Sequence, residues 1–169
     1  MVYVRLSRRL RELGLRRFSD YLALLGHDTK EFEAFINALT TNLTYFFREP
    51  HHFEHLRGWL VRHRQARIWS AGCATGEEVW SIAITACEAW SRLDPPVEII
   101  GTDIDTQVLE AARQGIYPGD RLDQLPPGYR ERYFLPLDAG RWQVRPELRA
   151  LAGFRRLNLA GVDWSIHGP

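Results

Sequence analysis

The stretch that most constrains how this chain folds is residues 67–84, RIWSAGCATGEEVWSIAI. A short strand-forming run leads into a small-residue loop at 70–76, then into a helical pattern that opens on Glu77 and Glu78. In an open α/β sheet this order builds a nucleotide site. The strand ends, glycine lets the backbone turn and approach a ligand closely, and the helix N-terminus faces the crevice. The loop carries no Lys or Arg and is followed by acid. A phosphate cradle needs cationic or N–H-rich surroundings, so this loop suits a ligand with hydroxyls or positive charge. An ordinary strand-to-helix turn that happens to contain glycine also accounts for these residues taken alone.

An apolar fraction of 45% and six Trp in 169 residues argue for a packed domain plus a small appendage. The net charge of +1 points neither to nucleic acid nor to a membrane. Cys73 and Cys87 are the only cysteines, without a C-x-x-C, and the chain reads without a secretory leader. Both features fit a reducing cytoplasm and exclude a disulfide framework. No apolar run approaches the roughly 20 residues of a membrane span.

Residues 1–60 read as a helical domain with its linker. Val2, Leu6, Leu10 and Leu13 recur at helix spacing as one apolar stripe, and at about 100° per residue Arg5, Arg8 and Arg11 fall toward solvent. Gly14 is a stop, Ser19-Asp20 a candidate cap for the next helix, residues 30–39 a third helix, and Pro50 the start of a fourth. From Arg67 strands and helices alternate: strand 68–71, helix 77–90, strand 97–101, helix 106–114 ended by Gly115, and strand 154–159. That rhythm predicts parallel βαβ units over 61–169. Residues 117–150, rich in Pro and Gly, interrupt it as a small inserted β-subdomain with a hairpin pairing 132–137 with 141–144.

An acid at the end of the second strand of such a sheet grips ribose hydroxyls, since a carboxylate accepts two donors at once. Asp103 stands there; Asp105 competes for the role but reads better as the cap of the following helix. S-adenosylmethionine, with a ribose and a cationic sulfonium, fits a site of this kind. A second constellation, Thr40–Glu49 (TTNLTYFFRE), sets polar groups and Arg48 among aromatics between two helices. It reads equally as a ligand-contacting linker or as a helix connection with a buried aromatic pair and a surface salt bridge. His51 and His55 lie one helical turn apart, but no third distant ligand presents itself, so no metal site is expected. Cys73 lacks the orienting partners of a nucleophile.

Three motifs, INALTTNLTYFFREPHHF at 36–53, RIWSAGCATGEEVWSIAI at 67–84 and GTDIDTQVLEAARQGIY at 101–117, occur in this order. With RLSRRLRELGL at 5–15 they resemble the chemotaxis receptor methyltransferases of the CheR type, over nearly the whole chain. The resemblance implies an α/β fold: an N-terminal helical domain, then the first half of a Rossmann-like S-adenosylmethionine-dependent methyltransferase sheet. It implies methyl transfer to receptor glutamates, giving glutamyl methyl esters and S-adenosylhomocysteine. Asn42, Thr44 and Arg48 match ligand contacts from the linker; Glu78 and Asp103 match contacts to the amino-acid end and ribose region; Asn158 and Leu159 match the pair flanking the adenine, and Gly72 in the loop is expected as a further cofactor-binding residue. Arg48 is the candidate catalytic residue. The chain departs from the family at Val79-Trp80, where Pro-Tyr is usual.

The receptor's methylated region is an acidic helical bundle, which gives Arg5, Arg8, Arg9 and Arg11 a docking role; a solvated helix face is the alternative. The expected protein is a monomer, peripheral to the membrane only through the receptor, with no nucleic-acid partner. The short loop 137–141 favours a form that does not use a receptor tether peptide. The resemblance also implies further sequence before Tyr3 and a fourth strand after His167-Gly168-Pro169. On that reading residues 1–169 bind S-adenosylmethionine weakly and do not turn over, the alternative function being an inactive fragment or receptor-binding module.

Overall fold

The fold is described by a computed structural model over residues 2–138 and 140–161. Three helices lead: α1 (Val2–Glu12), α2 (Phe18–Leu25) and α3 (Thr29–Leu39). Asp28 starts α3 by accepting from the amides of Lys30 and Glu31 at 2.9 and 3.0 Å, an N-cap that relieves two orphan donors. The expected Ser19-Asp20 cap of α2 is not formed. Arg17 is the N-cap residue, and Asp20 sits in the first turn, paired with Arg17 at 3.2 Å. The apolar stripe of α1 is also narrower than its spacing predicts: only Leu10 is buried, whereas Val2 is 57% exposed. The face that α1 turns to α3 carries Arg5 and Arg9, both half-buried, so the expectation that Arg5 points to solvent is corrected.

An extended linker, residues 40–45, joins this unit to α4 (Pro50–Leu60), which opens on Pro at its first turn. Then follow β1 (Ala66–Ala71), α5 (Glu77–Trp90), β2 (Val97–Asp103) and α6 (Thr106–Gln114), the last ended by Gly115 at φ +59°. The inserted segment holds β3 (Ile116–Pro118), α7 (Gly119–Leu122), α8 (Tyr129–Tyr133), β4 (Phe134–Asp138), β5 (Arg141–Val144) and α9 (Pro146–Arg149). Its antiparallel sheet runs β3-β5-β4, so the hairpin gains a third strand, too short for a period-2 signal. The predicted arm at 132–137 is corrected to Phe134–Asp138, because 129–133 is helical. Ala139 of the hairpin loop lies outside the described residues.

The chain returns through β6 (Ala152–Arg156), and the main sheet is parallel with order β1-β2-β6. The third strand is therefore corrected from 154–159, leaving Asn158 and Leu159 in the turn beyond it. The second strand is two residues longer than expected, and Asp103 is its last residue. Gly101, centred in β2, has a physical reason to lack a side chain. A Cβ there would lie 2.9 Å from the Phe154 ring and from Val79, closer than carbon atoms approach. Helix α5 is buried along most of its length between β2 and α4, supplying Val79, Trp80, Ile84 and Cys87 to the core. No described helix is long and apolar enough to cross a membrane. Residues 162–169, counted in the expected domain 61–169, lie outside the described residues.

Candidate functional site

The loop after β1 takes its shape from three left-handed residues in alternation: Gly72 (φ +77°), Ala74 (φ +46°) and Gly76 (φ +93°). Gly76 is doubly constrained, because a Cβ would meet the Ala112 Cβ at 2.8 Å. The winding turns the loop amides inward. Gly72 and Cys73 N–H donate to the Thr102 carbonyl at 2.8 and 2.9 Å, Ala74 N–H to Asp103 Oδ2 at 2.9 Å, and Gly76 N–H to the Cys73 carbonyl at 2.9 Å. These four amides are engaged by the protein, so the loop does not offer the ring of free donors that a phosphate needs. What faces outward is acid.

The two glutamates at the head of α5 have different tasks. Glu77 is 2% exposed, accepts the Thr75 hydroxyl at 2.6 Å and lies 3.7 Å from Arg121, so it is structural. Glu78 is exposed, and the Ser70 hydroxyl donates to its Oε1 at 2.6 Å, which orients the carboxylate. Asp103 accepts one backbone amide on each oxygen, from Ala74 and from Asp105 (3.0 Å). A carboxylate oxygen has a second acceptor position, so Asp103 retains capacity for ligand hydroxyls.

The linker closes the site from the opposite side. Phe46, 2% exposed, stands edge-on to Tyr117 and Phe134, and Phe47 to Phe53 and Tyr129. Arg48 NH1 donates to the Leu43 carbonyl at 3.0 Å, and its guanidinium lies 6.0 Å from the Tyr45 ring centre. The segment 40–49 thus contains the aromatic pair that one reading of it required, Phe46 buried and Phe47 half-buried, while Arg48 bonds backbone. The Asn42 NH2 donates to Asp105 Oδ2 at 2.8 Å and lies 3.3 Å from Thr40 Oγ1, so its nitrogen faces Asp105 and its carbonyl oxygen is turned the other way.

Between loop and linker lies a cavity of about 340 Å³, lined by Thr40–Tyr45, Arg48, Phe53, Gly72–Ala74, Glu78 and Asp103. Asn42, Thr44, Arg48, Gly72, Glu78 and Asp103, remote in sequence, meet here. Asn158 and Leu159 do not line it; the Asn158 carboxamide accepts from Ala160 N–H at 3.0 Å instead. Sequence reasoning missed Ser70, Tyr45 and Phe53. Phe53 carried a signal in its helical spacing with Leu56 and Leu60, whereas Ser70 carried none. Burial, with Asp103 and Glu78 nearby, pushes the Cys73 thiol up to about 12, so it stays protonated and unreactive at neutral pH.

A parallel strand-loop-helix crevice with inward amides and outward carboxylates defines a binder of a hydroxylated, cationic ligand, the class to which methyl-donor sites belong. Two family models agree with that class: the CheR methyltransferase all-alpha domain over residues 1–40 and the CheR methyltransferase SAM binding domain over 42–169. The chain belongs to the CheR methyltransferase family, and S-adenosylmethionine is the cofactor of its second domain. It is 53% identical, over 99% of its length, to chemotaxis protein methyltransferase 2 of Pseudomonas aeruginosa, covering 62% of that protein. It is also 48% and 45% identical to the chemotaxis protein methyltransferases of Klebsiella aerogenes and Escherichia coli, over 100% of its length and 60% and 61% of theirs. The chain thus spans about three-fifths of the curated relatives it matches. The residues present fit the cofactor: Glu78 and Asp103 for cationic and hydroxyl groups, Tyr45 and Phe53 for apolar surface, and small residues at 72–74 for close approach.

Proposed function

We propose that the cavity is the S-adenosylmethionine pocket of a cytoplasmic, monomeric protein-glutamate O-methyltransferase that modifies chemotaxis receptors and does not act on nucleic acid. The observation that carries this reading is the convergence of Asn42, Thr44, Arg48, Gly72, Glu78 and Asp103 on one cavity. When bound, the cofactor supplies a methyl group on a cationic sulfonium. Glu78 faces the amino-acid end, and Asp103 accepts from ribose hydroxyls. A glutamate nucleophile has a reference pKa of about 4.3 and is ionised at pH 7, so no residue needs to remove a proton. The chain's contribution is alignment and exclusion of water, and Arg48 at the rim orients the incoming carboxylate. Asn158 and Leu159, in the turn after β6 and outside the cavity lining, enter this reading only through the family resemblance, as an adenine-flanking pair.

Nuclear magnetic resonance titration with S-adenosylhomocysteine tests the pocket even at weak affinity. Amide shifts are expected to cluster at 40–48, 72–78 and 103, and shifts scattered elsewhere, or none, would refute the assignment. Within a protein of the relatives' full length, receptor membranes should acquire base-labile methyl esters; near-normal labelling by Arg48→Ala would remove Arg48 from the mechanism.

The docking role is narrower than four arginines. Arg9 is engaged with Glu31 and Glu12, and Arg5 with backbone carbonyls, which leaves the exposed Arg8 and Arg11 as the charges a receptor bundle can meet. Arg8 itself pairs with Glu12 at 3.1 Å. Binding to receptor membranes should weaken as salt rises through 0.5 M and should weaken further in Arg8→Ala/Arg11→Ala; binding indifferent to salt discards the role.

A further inference from the structure

Asp105 has one more oxygen in use than a helix cap requires. Its Oδ1 accepts the amides of Gln107 and Val108 at 2.9 and 3.3 Å and so caps α6. Its Oδ2 faces away from α6, toward the linker: the Thr40 hydroxyl lies 2.7 Å from it and the Asn42 amide 2.8 Å. The residue is only 2% exposed. Burying a carboxylate oxygen is unfavourable unless it is hydrogen-bonded; the Asn42 NH2 donates to this one, and the Thr40 hydroxyl has one proton to share between it and the Asn37 carbonyl at 2.8 Å. A serine or asparagine would cap the helix about as well. The second oxygen therefore serves the linker.

We infer that Asp105 is a positioning residue that latches the linker over the cofactor cavity and sets the donor–acceptor polarity of Asn42. This rests on the reading of that cavity as the S-adenosylmethionine pocket. A carboxylate can only accept, so it draws the Asn42 NH2 toward itself and turns the Asn42 carbonyl oxygen away from α6. From the other side, Arg5 NH1 donates to the carbonyls of Leu39 (2.8 Å) and Thr40, and Arg5 NH2 to Thr41 Oγ1 at 3.1 Å. Asn37 Nδ2 adds a bond to Thr106 Oγ1 at 3.2 Å beside the latch. The amino end of the linker is held between α1 and α6, and its carboxyl end by the Arg121 bond to the Thr44 carbonyl (3.1 Å) and the buried Phe46.

Hydrogen exchange and S-adenosylhomocysteine titration on Asp105→Ser, Asp105→Asn and Thr40→Val test the latch. Asp105→Ser keeps a capping oxygen and loses the second one. The Thr40 amide, which donates to the Ile36 carbonyl at 3.2 Å, should exchange about tenfold faster, the scale of a lost charge-assisted hydrogen bond, while 106–114 remain as in the parent. Thr40→Val, which leaves the cap untouched, should accelerate the same amide to a lesser extent. Asp105→Asn should regain linker protection, because the Asn42 carboxamide can flip to pair with the new amide. That flip presents NH2 in place of a carbonyl to the cavity, so ligand affinity should stay reduced at least several-fold. Unchanged linker exchange in both Asp105→Ser and Thr40→Val would overturn the inference. So would equal loosening of α6 and the linker in Asp105→Ser, which would make Asp105 a cap alone, or parental ligand affinity in Asp105→Asn. If the parent shows no ligand response, the pocket assignment fails, while the exchange pattern still decides whether the latch exists.

Discussion

Asp103→Ala is expected to lower the unfolding free energy by about 2–4 kcal/mol, from the amides of two buried residues losing their acceptor, and to erase the response to S-adenosylhomocysteine. Among the described residues, the Asp103 carboxylate is the acceptor for two amides that shape the site: Ala74 N–H in the loop and Asp105 N–H at the head of α6. Ala74 is held at φ +46°, a region that non-glycine residues seldom occupy, and its bond to Asp103 helps to keep it there. Loss of the second bond loosens the residue that latches the linker. Asp103→Asn keeps one carbonyl acceptor and should show roughly half of the stability loss, while weakening the ligand response more than that fraction, since hydroxyls prefer the charged acceptor. Urea denaturation followed by Trp fluorescence measures the first quantity and the titration the second. Parental stability in Asp103→Ala would show that the loop is held by other contacts.

Arg9→Ala should destabilise the helical unit by about 2–4 kcal/mol at pH 7, because it strands a buried carboxylate. Glu31 is 5% exposed; Arg9 meets it with two bonds of 2.8 and 2.6 Å, and the Tyr21 hydroxyl donates to it at 2.8 Å. The Arg9 guanidinium holds the Glu31 carboxyl below the usual carboxylate range, against opposition from burial and from Asp28. A depressed folded-state pKa contributes stability that is present above the unfolded value, about 4.3, and lost as pH falls through the folded value. The parent should therefore lose helical-unit stability in acid. In Arg9→Ala only the Tyr21 hydroxyl still opposes burial and Asp28, Glu31 binds a proton more readily, and the gap between parent and variant should close between pH 7 and pH 3. A gap that is flat with pH would show that Arg9 acts through packing and not through its charge. The pair Arg9→Ala/Glu31→Gln should recover part of the loss, because no buried charge is then left unpaired.

Local pattern was enough wherever one residue type at one position has a single structural use. Gly115 ends α6, Pro50 opens α4, and the bounds of α5 and α6 follow from caps and periodicity alone. The acidic head of α5 and the absence of Lys and Arg in its loop already point away from a phosphate ligand, and the inward-turned amides give that a structural reason. Legibility failed where identical residue types have different surroundings. Glu77 and Glu78 are neighbours in sequence; one is buried against Arg121 and Thr75, the other faces the cavity. Arg5, Arg8, Arg9 and Arg11 read as one basic face, yet Arg5 clamps the linker and Arg9 neutralises Glu31, because α1 turns those two toward α3.

The sequence by itself determined the strand-loop-helix unit at 67–84, the alternation that makes a parallel sheet, and the family, since all three are written in local order and spacing. Only the tertiary structure decided which polar groups remain for a ligand. A hydrogen-bonding group is available only after its partners at long sequence separation are known: Thr40 and Asn42 for Asp105, Ala74 for Asp103, Ser70 for Glu78. Those partners are set by the docking of the helical unit on α6 and by the winding of the loop, which no local pattern encodes.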